Sequence, residues 1–186
     1  IESTTTTPSD FYGGSRILLE GIIDEFLSCI GMIRRYQKSQ TGWDPISSST
    51  SRVKSPESMR EKLIRDGLEP TLQNALAHEH DAAGVRLICP MVDDVYRTAE
   101  LIRAIPDVTI LQEKDFIAHP KPNGYRSYHM ILKMPVRFLG SPPMQEGISE
   151  DPEALLYSSG SFPGKEGAVY INMKNQSFHT YFFFQS

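Results

Sequence analysis

The order of elements along this chain predicts an α+β fold in which helices pack on a mixed β-sheet. Three observations carry that expectation. A long amphipathic pattern lies near the start of the chain, compact apolar runs bounded by Gly and Pro follow, and a segment near residue 130 alternates between apolar and more polar positions.

Each element has its own signal. Between Arg16 and Tyr36, Leu19, Ile22, Ile23, Phe26, Ile30 and Ile33 recur at helical spacing. GWDPISSSTS then reads as a Ser-rich loop. In SPESMREKLIRDG, Ser55 suits an N-cap, Pro56 the first helical position, Glu57 the first turn and Gly67 the stop. Residues 71–78 suit a short helix. GVRLICP at 84–90 suits a buried strand, and VDDVYRTAELIRAI a helix with Val95, Ala99 and Ile102 on one stripe. DVTILQE reads as a strand. In YHMILKMPVRF, Tyr128, Met130, Leu132, Met134, Val136 and Phe138 alternate with more polar positions, which also marks a strand. AVYINM is expected to be the short final strand.

Outside these elements lie a Thr-rich stretch, 1–14, expected to be a disordered tail, and 139–167, rich in Pro, Gly, Ser and Glu and expected to be a flexible insertion. The reading is one domain over 15–186 with an atypical C-terminus, NQSFHTYFFFQS. A chain of 186 residues can bury a real core. A net charge of −4 argues against bulk binding to DNA or RNA but leaves room for a local basic patch. Cys29 and Cys89 sit in apolar settings and read as reduced thiols. No apolar run approaches the ~20 residues of a membrane span, and the first residues lack a secretion signal, so a cytoplasmic protein is expected.

Three constellations could carry chemistry. In SRVKSP, Arg52 and Lys54 lie two apart, so an extended backbone sends both to one side, with Lys62 and Arg65 following on the helix. They suit a cationic rim for a triphosphate, or a solvated helix with a Glu61–Arg65 pair. In HEHDAAGVR, Asp81 precedes a strand. Mg²⁺ usually takes one or two carboxylates plus phosphate oxygens, so Asp81 is a candidate ligand, or simply a turn cap. His78 and His80 have no second ligand pair nearby and do not suggest zinc. In EKDFIAHPKPNGYRSYH, two prolines and an Asn-Gly turn present Tyr125 on a stiff platform. Lys114 and Lys121 could meet phosphates, Asn123 and His129 a base or ribose, and Tyr125 could stack on a base; a solvated hairpin turn is the plainer alternative.

R-x-K with a later Lys, H-D-x-A-G-V-R, and K-D-F-I-x-x-P-K-P-N-G-Y-R-S-x-H, in that order over residues 16–138, resemble the synthetase domain of the RelA/SpoT alarmone synthetases, most closely the small stand-alone ones. The resemblance implies a nucleotidyltransferase-like mixed sheet flanked by helices. It also implies GTP pyrophosphokinase activity, the transfer of pyrophosphate from ATP to the 3′-hydroxyl of GDP or GTP to give ppGpp or pppGpp. On this basis Arg52, Lys54, Lys62 and Arg86 would hold ATP and Asp81 would bind Mg²⁺. Lys114 and Lys121 would neutralise phosphates, and Tyr125 would stack on guanine beside Asn123 and His129. A homo-oligomer, tetrameric in similar proteins, is implied too. The family places a glutamate base in a strand pattern like V-E-I-Q-I-R; here the match is Val169-Tyr170-Ile171-Asn172-Met173-Lys174, with Tyr170 at the glutamate position. Two alternatives follow: a catalytically impaired member that binds guanosine nucleotides, or a toxin-type synthetase acting on another 3′-hydroxyl such as a tRNA end, which the acidic net charge disfavours.

Overall fold

The computed structural model describes residues 11–135 and 166–175. Helix α1 runs Ser15–Thr41, beyond the expected end at Tyr36, and stops where Gly42 adopts φ +72° and its N–H bonds to Lys38 O. Helix α2 is Pro56–Arg65, with the Ser55 side chain accepting from Ser58 N as an N-cap should. Helix α3, Leu72–His78, is capped by Thr71 in the same way. Helix α4 is Val92–Arg103, and its stripe of Val95, Ala99 and Ile102 is fully buried. At its start Asp94 accepts both from Met91 N and from the indole of Trp43, tying α4 to the turn after α1. Asp44 in that turn accepts a two-pronged bond from Arg34.

Five strands form one mixed sheet: β1 (Ser48–Val53), β2 (Ala83–Cys89), β3 (Thr109–Asp115), β4 (Tyr128–Pro135) and β5 (Glu166–Asn175), in the order β1-β2-β5-β4-β3. Only β2 and β5 are parallel; the other neighbours are antiparallel. Residues directly opposite on paired strands point to the same face, so the register sorts the sheet into two faces. One carries Val85, Leu87, Val169, Ile171, Met173, Met130 and Leu132, which join the buried stripes of α1 and α4 in a single core. The other carries Arg52, Gly84, Arg86, Tyr170, Asn172, His129 and Lys114, linked in register through Arg52↔Gly84, Gly84↔Tyr170, Arg86↔Asn172, His129↔Asn172 and Lys114↔His129.

Three expectations need correction. Ser48–Ser51, read as the end of a Ser-rich loop, belong to the edge strand β1: nearly all its residues are exposed, so no apolar alternation announces it, and its backbone pairing to β2 makes it a strand. The tail reading of 1–14 reaches too far, because Tyr12 is 1% exposed within the core and Phe11 lies under the Arg60 guanidinium; residues 1–10 lie outside the described residues. Of the segment expected to be an insertion over 139–167, Glu166 and Gly167 belong to β5; residues 139–165 and the C-terminal Phe run lie outside the described residues.

Phe26 is the largest α1 side chain wholly buried against the sheet. Phe26→Ala is expected to lower unfolding free energy by ~3–5 kcal/mol in a denaturant titration, through the cavity it leaves.

Candidate functional site

The site face is built by alternation. In β5, Val169, Ile171 and Met173 go to the core, which leaves Tyr170, Asn172 and Lys174 on the other side. Gly84 sits beside Tyr170 in β2, and a Cβ there would lie 3.8 Å from Arg52 O, so the absent side chain keeps the floor of the site open. Two cavities adjoin over this floor. One of about 290 Å³ is lined by Lys62, His78, Glu79, His80, Asp81, Gln112, Lys114, His129, Ile131 and Tyr170. The other, about 420 Å³, is lined by Thr50, Ser51, Arg52, Asp81, Gly84, Val85, Arg86, Tyr170 and Asn172. Asp81 and Tyr170 are the residues they share.

Asp81 is gripped from both sides. Lys54 Nζ donates to Oδ2 at 2.8 Å and Lys62 Nζ to Oδ1 at 2.9 Å, and Lys62 also pairs with the buried Glu79. Burial alone would raise the Asp81 pKa, but the bonds from Lys54 and Lys62 outweigh it and hold the carboxyl below the usual range. Nearby burial and the Asp81 charge push the Tyr12 phenol up to about 12. Among the described residues no cluster of three or more His, Cys, Asp or Glu side chains is arranged to hold a metal.

His129 occupies the middle of a hydrogen-bonded set. Tyr125 Oη is 2.8 Å from Nε2 and Tyr170 Oη 2.8 Å from Nδ1. Asn172 Nδ2 donates to Tyr125 Oη at 3.0 Å, and its Oδ1 accepts from the buried Ser127 hydroxyl at 3.1 Å. Burial, helped by the positive charges of Lys121, Lys174 and Lys114, lowers the His129 pKa to about 4, so the ring is neutral at physiological pH. Burial likewise pushes the Tyr170 phenol up to about 12.

The structure brings most of the sequence-derived residues to this face but sorts them differently. Arg52 and Arg86 line the larger cavity, whereas Lys62 lines the smaller one with Lys114 and His129, and Lys54 meets the site through Asp81. Lys121, Asn123 and Tyr125 line neither cavity. The turn closes from Gly124 N to Lys121 O, Asn123 Oδ1 accepts from Tyr125 N, and Tyr125 lies behind His129 with Lys121 and Lys174 ammonium groups over its ring. Sequence reasoning missed Glu79, Tyr12, Ser127 and Lys174. For Ser127 a signal existed: Tyr125, Ser127 and His129 recur at a period of two and face Asn172 together.

The molecule is thus an α+β domain whose sheet is cored by helices on one face and presents a cation-rich, two-chambered site on the other. It belongs to the family described as the region found in RelA/SpoT proteins, whose model matches residues 51–145; strand β5 lies beyond that span. The chain is 47% identical over 95 residues to the GTP pyrophosphokinase YwaC of Bacillus subtilis (strain 168), covering 51% of this chain and 45% of the relative, and so spans about half the relative's length. Its fold matches the crystal structure of small alarmone synthetase 2 from Bacillus subtilis with TM-score 0.69 and 28% identity, over 91% of this chain and 74% of the other. Small alarmone synthetase 1 from the same organism, bound to its product pppGpp, matches with TM-score 0.70 and 25% identity over 94% and 78% of the two chains. Among the described residues no helix is long and apolar enough to cross a membrane.

Because the folded His129 has a pKa near 4, against an ordinary 6.5, the unfolded chain binds more protons between those values. Stability is therefore expected to fall as pH drops from about 6.5 toward 4. His129→Gln should flatten that part of a urea-denaturation pH series, while a slope that survives the substitution would assign it elsewhere.

Proposed function

We propose that this domain binds ATP and GDP or GTP in adjoining chambers and transfers pyrophosphate from ATP to the guanosine 3′-hydroxyl, giving ppGpp or pppGpp. The observation that carries this reading is the pair of cavities meeting at Asp81 and Tyr170, each with its own cations. A two-substrate transfer needs such a meeting point, and phosphoryl-type chemistry runs mainly on positioning and charge neutralisation. The family, the named activity of YwaC and the pppGpp bound to small alarmone synthetase 1 support it.

In this reading Arg52 and Arg86 bind ATP phosphates from the larger chamber, with Lys54 and Lys62 at the junction. Lys114 and Lys121 neutralise the guanosine nucleotide's phosphates, His129 lines the chamber on its side, and Tyr125 and Asn123 meet the base from the turn beside that chamber. Asp81 fits Mg²⁺ as a one-carboxylate ligand: it is held ionised, borders both chambers, and Mg²⁺ commonly completes its shell with waters and phosphate oxygens. Bound there, the ion would supply charge neutralisation on the transferred group. The working compartment is the cytoplasm, where both nucleotides are available.

A second reading, nucleotide binding with impaired transfer, is favoured by one observation. Asp81 and Glu79, the carboxylates lining the chambers among the described residues, are both paired with lysines, while Tyr170 and His129 have pKa values near 12 and 4. Neither of those two is matched to accepting a proton at neutral pH.

An ion-exchange assay for ppGpp and pppGpp from ATP plus GDP or GTP with Mg²⁺, run beside binding titrations of each nucleotide, separates the two. Product supports transfer, binding without product supports the second reading, and binding of neither nucleotide rejects both. Asp81→Asn is expected to remove the Mg²⁺ dependence of ATP binding. Tyr125→Ala should weaken GDP binding by ~1–3 kcal/mol and leave ATP binding nearly intact, and an equal loss of both would rule out stacking on Tyr125.

A further inference from the structure

The hydrogen-bonded set around His129 has a direction. Ser127 Oγ faces Asn172 Oδ1 at 3.1 Å, which leaves the amide nitrogen of Asn172 toward Tyr125 Oη (3.0 Å) and His129 Nε2 (3.3 Å). An amide NH₂ can only donate, so Nε2 is an acceptor, and Tyr125 gives its proton to Nε2 at 2.8 Å. A neutral imidazole carries one proton, which must then sit on Nδ1 and be donated to Tyr170 Oη at 2.8 Å. The longer 3.3 Å approach of Tyr170 to Nε2 offers its proton no better partner, because Tyr125 already occupies that nitrogen. Donors run in one sense from Ser127 through Asn172, Tyr125 and His129 to Tyr170. The Tyr170 proton is left to point into the space where the two cavities meet.

That space is bordered by Arg52 and Arg86 on one side and Lys62 and Lys114 on the other, against the carboxylates of Asp81 and Glu79, and this cationic excess suits an anionic occupant. We propose that Tyr170 is a phosphate-binding donor: its hydroxyl, oriented by His129 Nδ1–H, hydrogen-bonds a non-bridging oxygen of the ATP phosphoryl group held at the junction. The inference rests on the nucleotide-binding reading above and holds whether or not transfer is efficient. The phenol stays protonated across physiological pH because burial opposes its ionisation. A neutral donor adds no negative charge beside Asp81, so phosphate is received there without a cation dedicated to offsetting residue 170.

The test is ATP binding by calorimetry to the full chain, in EDTA and in Mg²⁺, for the unaltered protein, Tyr170→Phe and Tyr170→Glu, each checked for unchanged thermal unfolding. A hydrogen bond to a charged partner is worth enough for Tyr170→Phe to weaken ATP binding about tenfold or more in both buffers. Tyr170→Glu should lose more in EDTA and regain most of its affinity with Mg²⁺, since a carboxylate needs a metal to face phosphate. A side chain that only fills space would leave Tyr170→Phe, which removes the hydroxyl alone, with full affinity in both buffers. Equal ATP affinity for the unaltered protein and Tyr170→Phe overturns the proposal while leaving the nucleotide-binding reading standing. No ATP binding to the unaltered chain, with or without Mg²⁺, overturns both.

Discussion

The parallel pairing of β5 with β2 is the constraint on which the rest of this domain depends. Register Gly84↔Tyr170 places β5 in the middle of the sheet, and a slip of one residue would exchange every side chain between faces. Val169, Ile171 and Met173 would then meet the site and Tyr170, Asn172 and Lys174 the core. The apolar alternation of β4, with Tyr128, Met130, Leu132 and Met134 buried, enforces the same parity from the other neighbour. Core packing and site assembly are therefore one choice of register, and the hydrophobic face fixes the polar one.

A sheet face that carries polar side chains must satisfy them locally, because an unmade bond on a buried group costs far more than a made one contributes. Here Ser127, Asn172, Tyr125, His129 and Tyr170 are joined in one hydrogen-bonded chain that ends at the Tyr170 hydroxyl, and Lys54, Lys62, Glu79 and Asp81 form a second, closed set. The first set is neutral and directional, and the second is charged and balanced. The first set lets the central strand β5 carry Tyr170 and Asn172 on this face.

Much of this was legible in the sequence, and the parts that were not have physical reasons. Ser55, Pro56 and Gly67 mark α2 because capping chemistry is local, and Val95, Ala99 and Ile102 mark α4 because one face must be apolar. β1 was hidden, since an exposed edge strand is held by backbone bonds to which side-chain pattern is blind. Tyr12 was hidden because a single aromatic inserted into the core leaves no periodicity. At the site, Arg52, Asp81, Lys114 and His129 were named as chemistry-bearing residues, but their grouping depends on which strands lie side by side. Lys62 follows Lys54 by eight positions and lines the smaller chamber, where α2 turns it onto Glu79 and Asp81, whereas Lys54 reaches the site only through Asp81. Tyr125 was read as a stacking ring presented on a stiff turn, and its hydroxyl, which that reading did not use, joins the His129 set.

The charged set also bears on how a site so rich in cations can exist before its ligand arrives. Lys54 and Lys62 each lie within 3 Å of Asp81, so their charges are compensated inside the protein rather than left in a low-dielectric cleft. An incoming polyphosphate with its divalent ion offers both halves of that arrangement new partners. The lysines can pass from carboxylate to phosphate oxygen, while the carboxylate passes from ammonium to metal. No charge is left unpaired along such an exchange, which keeps its electrostatic cost low. Tyr170 stands outside it, since its hydroxyl has no counter-charge to surrender. In the proposed function, metal and phosphate binding are therefore coupled through Asp81, and the donor at position 170 acts on whatever phosphate that coupling brings to the junction.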